Sequence, residues 1–419
     1  MTSPNLEKSI VVVGAGGNIG SHLVSHLARF EPVARITLID KDRYEPANVR
    51  SQDIMPRDVG KLKAVVQARR LLRINRRLRV EAITDAVERV PLGRLRADVI
   101  LACLDSRIAR QHVNQFGWRL GVPLIDAGVE AGGLLARVNV YVPGPDNPCL
   151  ECAWDDRDYE ALEQTYPCQG FATTIAATNA PSSLGALAAA LQAIECQKLL
   201  KGEFDRVAFG KQVLIDASHH KHYVTSFRRN PNCRFSGHDV WNIQRLSCSL
   251  KEFTLDQALK LGPASVGGSV GLSLEGKPFV RRLACTGCGA ARSLLRLECS
   301  LRDTDRTCAK CGRRMVAGGF DFLERLSRAY VSRRELGRSL KRLGLRQGDV
   351  FTIGDGVREF HYEIAQEDEP RVSEGVSHDH GSSITPSTRA RASNRSTFTS
   401  VLNEATRRAS AASLGSVTS

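Results

Sequence analysis

No stretch of the 419 residues approaches the roughly 20 consecutive apolar residues that a bilayer-spanning helix needs, so no membrane-embedded role is expected. The first residues, Met1-Thr2-Ser3-Pro4-Asn5-Leu6-Glu7-Lys8, also lack the apolar core of a secretory leader. The chain is expected to work in the cytoplasm, where its twelve cysteines read as thiols or metal ligands rather than disulfides. Aromatics are scarce, at 6%. Although the formal net charge is +14, no single basic block is interleaved with aromatic side chains. That distribution favours solvated helix faces and an acidic protein partner over nucleic acid, and leaves only non-specific attraction to polyanions. Large apolar side chains become rare after Gln366, so residues 367–419, rich in Ser, Thr and Arg, are expected to form a disordered tail.

The apolar run Ile10-Val11-Val12-Val13 breaks into Gly14-Ala15-Gly16-Gly17-Asn18-Ile19-Gly20 and then into a helical pattern, Leu23 to Phe30. Strand, tight turn and helix N-terminus together present backbone N–H groups and a positive dipole end to a phosphate. A second strand, Arg35 to Ile39, ends at Asp40 with Asp42 behind it, about 20 residues past the glycines, where an acid takes ribose hydroxyls. The glycine spacing fits both GxGxxxG and GxxGxxG. Strand and helix patterns alternate to about residue 145: a basic helix after Gly60 carrying Lys63, strands near Val80–Thr84 and Asp98–Leu104, a helix to Leu120 and a strand Pro123–Asp126. This predicts an α/β, Rossmann-like doubly wound sheet, mostly parallel, with Gly14–Gly20, Asp40 and Asp105 all at the carboxyl ends of strands, where such sheets bind ligands. Further strands (Leu134–Val142, Val207–Asp216, Tyr223–Phe227) form an antiparallel extension, and the Ala/Leu-rich helix Pro181–Leu200 is apolar enough to be buried against the sheet or a second subunit.

Cysteine spacing marks two metal sites. Cys285/Cys288 and Cys308/Cys311 form a CxxC–x₁₉–CxxC, the spacing of a zinc ribbon. Cys149, Cys152 and Cys233 offer three soft ligands, and Zn²⁺ wants four. His238 is the natural fourth, with His219, His220 and His222 as rival donors. A helix over Ser332–Leu343 and two strands near Asp349–Ile353 and Glu359–Ile364 complete the second unit. The expected division is 1–245, 246–366 (zinc ribbon and small β module) and the tail 367–419.

Six features in order make the first 240 residues resemble the ThiF/MoeB/HesA family of adenylating enzymes. They are the glycine loop with Leu38-Ile39-Asp40, the Asn48-to-Gln52 loop, Gly60-Lys61-Leu62-Lys63, Cys103-Leu104-Asp105-Ser106 with Arg110, the CxxC at Cys149/Cys152, and Asn230-Pro231-Asn232-Cys233. The resemblance implies that ATP adenylates the C-terminal glycine of a ubiquitin-like or sulfur-carrier protein, giving an acyl-adenylate and pyrophosphate, and that the enzyme is a homodimer. By that likeness Gly14, Gly16, Gly17, Asn18, Gly20, Asp40, Asp42 and Asn48 line the nucleotide. Lys63 and Arg50 neutralise phosphate charge, and Asp105 holds Mg²⁺, a hard ion suited to carboxylate and phosphate oxygens. The family's Asn-x-x-Arg-Gln loop appears here with its arginine displaced by one, at Arg50. The family's N-terminal helix with a trans-acting arginine is not expected from the eight residues before Ser9. Fourth-ligand sulfur in the family falls where Ser236 stands. Cys168 lies where some members carry an acyl- or sulfur-accepting thiol, and nucleophile and bystander both stay open for it.

Two other readings are carried beside this one. An NAD(P)-dependent oxidoreductase would use the GxxGxxG spacing, but needs neither Lys63 nor Asp105. A non-catalytic scaffold on a decayed adenylating fold would explain the displaced arginine, but not the retention of Asp40, Lys63 and Asp105. For Asp105 the plain alternative to a metal ligand is a helix N-cap.

Overall fold

The computed structural model describes residues 7–163, 180–235, 237–262 and 270–365. The first unit runs β1 (Lys8–Val13), α1 (Asn18–Leu27), β2 (Val33–Ile39), α2 (Lys63–Ile74), β3 (Arg79–Ile83), β4 (Val99–Ala102), α3 (Arg107–Leu120), β5 (Leu124–Glu130), β6 (Leu135–Tyr141), α4 (Asp156–Glu163), α5 (Ser182–Lys201), β7 (Lys211–Asp216) and β8 (Lys221–Ser226). The second runs β9 (Ile243–Leu246), α6 (Leu255–Leu259), β10 (Gly271–Ser273), β11 (Phe279–Cys285), β12 (Ala291–Leu297), β13 (Met315–Val316), β14 (Phe322–Leu323), β15 (Leu326–Ser327), α7 (Arg333–Leu336), β16 (Val350–Gly354) and β17 (Glu359–Ile364).

The strands of the first unit form one eight-stranded sheet in the order β3-β2-β1-β4-β5-β6-β7-β8. The first five are parallel and the rest antiparallel, as the sequence patterns predict. Ile10 to Val13 and Val99 to Ala102 are buried, the continuous apolar character demanded of central strands covered on both faces. One face packs against α1, α2 and α5, with Leu23, Leu27, Leu71, Ala188 and Leu199 in a common core. The other packs against α3 through Val113, Phe116 and Leu120. Chain order reverses between β1 and β4, so the crevice between their carboxyl ends is the topological switch point where such sheets bind ligands. At the far edge β8 is exposed along its whole length, including Tyr223 and Val224.

Helix α5 sits close to α1: a Cβ on Gly185 would fall 1.5 Å from Asn18 Oδ1. A side chain there would have to displace Asn18, so the glycine loop lies tight against α5.

The second unit holds a five-stranded sheet, β15-β10-β16-β17-β9, and a smaller sheet of β12, β11 and β13 with β14 on β11. Its own core includes Leu255, Leu272, Phe279, Phe351 and Ile353. The two units share a buried seam. Lys277 is 5% exposed, donates to the Val90 carbonyl at 2.9 Å and pairs with the buried Asp349 at 3.4 Å. Arg96 pairs with Glu363 at 2.6 Å, and Gly93 N donates to Gly348 O at 2.7 Å. Val350 packs into the core beneath α3. One expected element is corrected: the helix over Ser332–Leu343 is only the turn Arg333–Leu336. Gly337 ends it, and beyond it Leu340 N and Lys341 N bond to Phe253 O and Leu250 O. Burial of Leu340 and Leu343 in the core outweighs the helical pattern. Among the described residues no helix is long and apolar enough to cross a membrane.

Candidate functional site

The glycine loop is shaped by three close approaches. Gly14 has φ +78°, and a Cβ there would lie 2.3 Å from Cys103 O, where β4 ends. At Gly16 a Cβ would lie 2.3 Å from Lys63 Cβ, and at Gly20 it would lie 2.2 Å from Gly14 O. Gly17 meets nothing closer than 3.5 Å and serves as the N-cap of α1. Steric demand therefore selects GxGxxxG over GxxGxxG. Asp40 closes the loop from behind: its carboxylate accepts from Gly16 N at 2.8 Å and Asp42 N at 3.0 Å. Each of its oxygens keeps a lone pair for a ligand hydroxyl. Burial raises the Asp40 carboxyl above its ordinary value, and the two amides oppose that shift.

Lys63 opens α2 and is buried to 9% exposure, with Nζ 3.9 Å from Asp42 Oδ2 and 5.6 Å from the centre of the Tyr44 ring. Tyr44 and Gln67, joined by a 2.7 Å hydrogen bond, form a floor beneath Gly16 that the sequence reading missed. Tyr44, an aromatic fully buried within a polar loop, was the available signal. Loop, Asp40, Asp42 and Lys63 thus meet. Asn48 does not join them: its Oδ1 accepts from Glu45 N at 2.9 Å and caps its own short turn. Arg50 is exposed on that turn, with no hydrogen bond to a described residue.

Asp105 stands at the carboxyl end of β4, exposed and without a partner among the described residues. It is not the N-cap of α3. Ser106 is, its hydroxyl accepting from Ala109 N at 3.3 Å. Behind Asp105 lies a buried ion cluster. Arg110 donates to the Leu104 carbonyl and the Asp126 carboxylate, and to Ala127 O at 3.0 Å. Arg137 reaches the other Asp126 oxygen at 2.9 Å. Asp126 has no exposure at all. The cluster clamps the backbone that carries Asp105. Its sequence signal was charge inside strands, Asp126 in β5 and Arg137 in β6.

Each cysteine set comes together. Cys149, Cys152, Cys233 and His238 offer ligand atoms all within 4.8 Å of one another, as do Cys285, Cys288, Cys308 and Cys311. Tetrahedral Zn²⁺ with Zn–S near 2.3 Å sets sulfurs about 3.8 Å apart. The Cys149 Sγ–Cys152 Sγ and Cys149 Sγ–Cys233 Sγ separations are both 3.8 Å, and Cys288 Sγ–Cys308 Sγ is 3.7 Å. His238 Nε2 lies 3.1 Å from Cys149 Sγ and 3.4 Å from Cys152 Sγ. Donor type and spacing fit Zn²⁺ at both places. The rivals His219, His220 and His222 lie on the exposed β7–β8 hairpin. His238 is aimed by its backbone, at φ +49° just after Gly237, and by Trp118 Nε1 donating to its carbonyl at 2.5 Å. Buried Glu151, accepting from Gln111, Gln115, Asn114 and Tyr159, fastens the Cys149–Cys152 turn to α3. In the ribbon, Gly287 N and Lys310 N each donate to a cysteine sulfur at 3.4 Å, the amide-to-thiolate bonds of a metal knuckle. Cys103 and Cys196 are buried and Cys248 and Cys299 half-buried. Cys168 and Ser236 lie outside the described residues.

Comparison with known proteins bears on this arrangement. The model of the ThiF family matches residues 5–235. The sulfur carrier protein ThiS adenylyltransferase of Escherichia coli is 28% identical over 243 residues, covering 55% of this chain and 87% of that protein. A sulfur carrier protein adenylyltransferase of Thermus thermophilus is 30% identical over 234 residues, 55% of this chain and 82% of the relative. The ubiquitin-like modifier-activating enzyme 5 of Oryza sativa subsp. japonica is 31% identical over 160 residues, 35% of this chain and 37% of that enzyme.

Proposed function

The chain belongs to the ThiF family, and from that premise we propose that it uses ATP to adenylate the C-terminal glycine of a ubiquitin-like or sulfur-carrier protein. The observation that carries the reading is Asp105, a carboxylate with no partner among the described residues, across the β1/β4 switch point from a GxGxxxG loop backed by Asp40 and Lys63.

In this reading the carrier's carboxylate attacks the α-phosphate and pyrophosphate departs. The first-turn amides of α1, from Asn18 to Gly20, face the phosphates, Gly16 N and Gly17 N being held by Asp40 and the Gly14 carbonyl, and Lys63 balances charge as it moves toward the leaving pyrophosphate. Asp40 accepts from the ribose. Mg²⁺ would be held by Asp105 and phosphate oxygens, supplying charge neutralisation. Arg50 acts from the rim of the site once a nucleotide gives it a partner. Both Zn²⁺ sites are structural, because four protein ligands leave no position for substrate. The first ties the Cys149 turn to the loop after β8, and the second stiffens the C-terminal module as a docking surface. Asn18 contributes by tying the loop to the start of α5 through Ala180 O, Asn48 holds the turn that carries Arg50, and the enzyme acts as a homodimer.

The test is carrier-dependent AMP formation with a ThiS-type sulfur carrier. Asp105→Ala is expected to lower turnover at least a hundredfold with the fold intact. Unchanged turnover would overturn the role of Asp105.

A further inference from the structure

A second cluster sits beside the phosphate loop and has no part in the chemistry above. Ser182 opens α5, and its Oγ lies 2.9 Å from His22 Nε2 on α1. The other ring nitrogen, Nδ1, faces Asp53 Oδ2 at 3.8 Å, roughly 0.6 Å beyond hydrogen-bond range. Asp53 is held in place. Arg70 binds its carboxylate and, at 2.7 Å, its carbonyl, while its N–H donates to Ser21 Oγ at 3.0 Å. Three separate elements therefore bring together a hydroxyl, an imidazole and a carboxylate in the order of an activated nucleophile. The His22 side chain is 15% exposed. Burial lowers its pKa below the ordinary value, with Asp53 opposing, so the ring is neutral at pH 7 and free to accept a proton.

The surroundings suit acyl chemistry. Pro181 caps α5 without a side-chain acceptor; Leu184 N bonds back to the Pro181 carbonyl at 3.1 Å, while the Ser182 and Ser183 amides of this 20-residue helix have no cap among the described residues. Those amides and the helix dipole favour negative charge developing near Ser182. Asn18 of the phosphate loop donates to Ala180 O at 2.7 Å, two residues before Ser182, so the cluster is fixed to the loop that handles ATP.

We propose that Ser182, with His22 as its base and Asp53 as the positioning acid, is a second nucleophilic centre that takes the acyl group of the adenylate as an oxygen ester. The acyl-acceptor part rests on the adenylation reading; the activated serine does not. In the step, the Ser182 Oγ–carbonyl bond forms as the acyl–phosphate bond breaks. AMP leaves with the bonding pair, and the serine proton passes to His22 Nε2. No oxidant or further reactant is needed.

Two probes on the full chain test this. A fluorophosphonate, which phosphonylates activated serines with loss of fluoride, needs neither ATP nor carrier. Peptide mass mapping is expected to find the label on Ser182, lost in Ser182→Ala, kept in Ser183→Ala, and slowed at least tenfold in His22→Gln with melting temperature unchanged. No label on Ser182, or equal labelling in His22→Gln, overturns the nucleophile whatever the fate of the adenylation reading. Acetyl adenylate then tests the acyl step, with a hydroxylamine-labile acetyl ester expected on Ser182. A fluorophosphonate-reactive Ser182 that is never acetylated overturns the acceptor role.

Discussion

Removing the Asp126 carboxylate tests whether the buried ion cluster supports the end of β4. Asp126 is wholly buried and lies between two guanidinium groups, of which Arg110 is almost as buried and Arg137 keeps 32% of its side-chain exposure. At the 2.9 Å of the Arg137 pair and an effective dielectric of about 20, one such pair attracts with about 6 kcal/mol. Desolvation offsets much of this, and what counts on mutation is the charge left behind. Asp126→Ala strands the Arg110 guanidinium in the core beside a second cation, which costs about 3–5 kcal/mol. Arg137→Ala leaves the Arg110–Asp126 pair whole and its own site reaches solvent, so about 1–2 kcal/mol is expected. Asp126→Asn keeps an acceptor and falls between them. Urea denaturation of the full chain, read as the midpoint shift at constant slope, measures all three. A loss under about 1 kcal/mol for Asp126→Ala, or equal losses for Asp126→Ala and Arg137→Ala, would refute the argument. Because Arg110 also holds the Leu104 carbonyl, carrier-dependent AMP formation should drop in Asp126→Ala even below its unfolding transition.

Other expectations follow from single contacts. Gly20→Ala must displace the Gly14 carbonyl and should raise the ATP Kd at least tenfold, whereas Gly17→Ala, with nothing closer than 3.5 Å, should change it less than threefold; equilibrium dialysis with labelled ATP reads both. Elemental mass spectrometry should find two zinc ions per chain, falling to one in His238→Ala and, separately, in Cys285→Ser. Burial, and behind it the Arg119 charge, pushes His361 from 6.5 down to about 4. The unfolded chain therefore binds the extra proton between those values, and stability falls as pH drops from 6.5 toward 4. The loss is at most about 3 kcal/mol, less for the solvent that reaches the seam. His361→Gln should flatten that stretch of the pH–stability curve, and an unchanged slope would remove His361 as its cause.

Much of the fold was legible because its signals are local. The run Ile10–Val13 must be a doubly covered strand, and glycines immediately before a helical pattern must be a turn. Two cysteines three apart point their sulfurs the same way in any knuckle. The Ser332–Leu343 segment misled because its apolar spacing fits a helix, while its backbone finds partners in the 250–254 loop that no local pattern reveals.

What the sequence alone determined was the doubly wound sheet, the nucleotide end of it, and the two cysteine sets. Each depends on residue type at fixed spacing along one chain segment. What only the tertiary structure decided was everything that depends on approach between distant segments. Cys103 O crowds Gly14, Lys63 crowds Gly16 and the folded-back Gly14 carbonyl crowds Gly20, which leaves Gly17 open. Trp118 aims His238 at three cysteines. Ser106, not Asp105, caps α3 and so leaves the Asp105 carboxylate without a partner among the described residues. His22, Asp53 and Ser182 come together from positions up to 160 residues apart. Steric exclusion and hydrogen-bond geometry act over a few ångströms of space, and sequence distance carries no record of them.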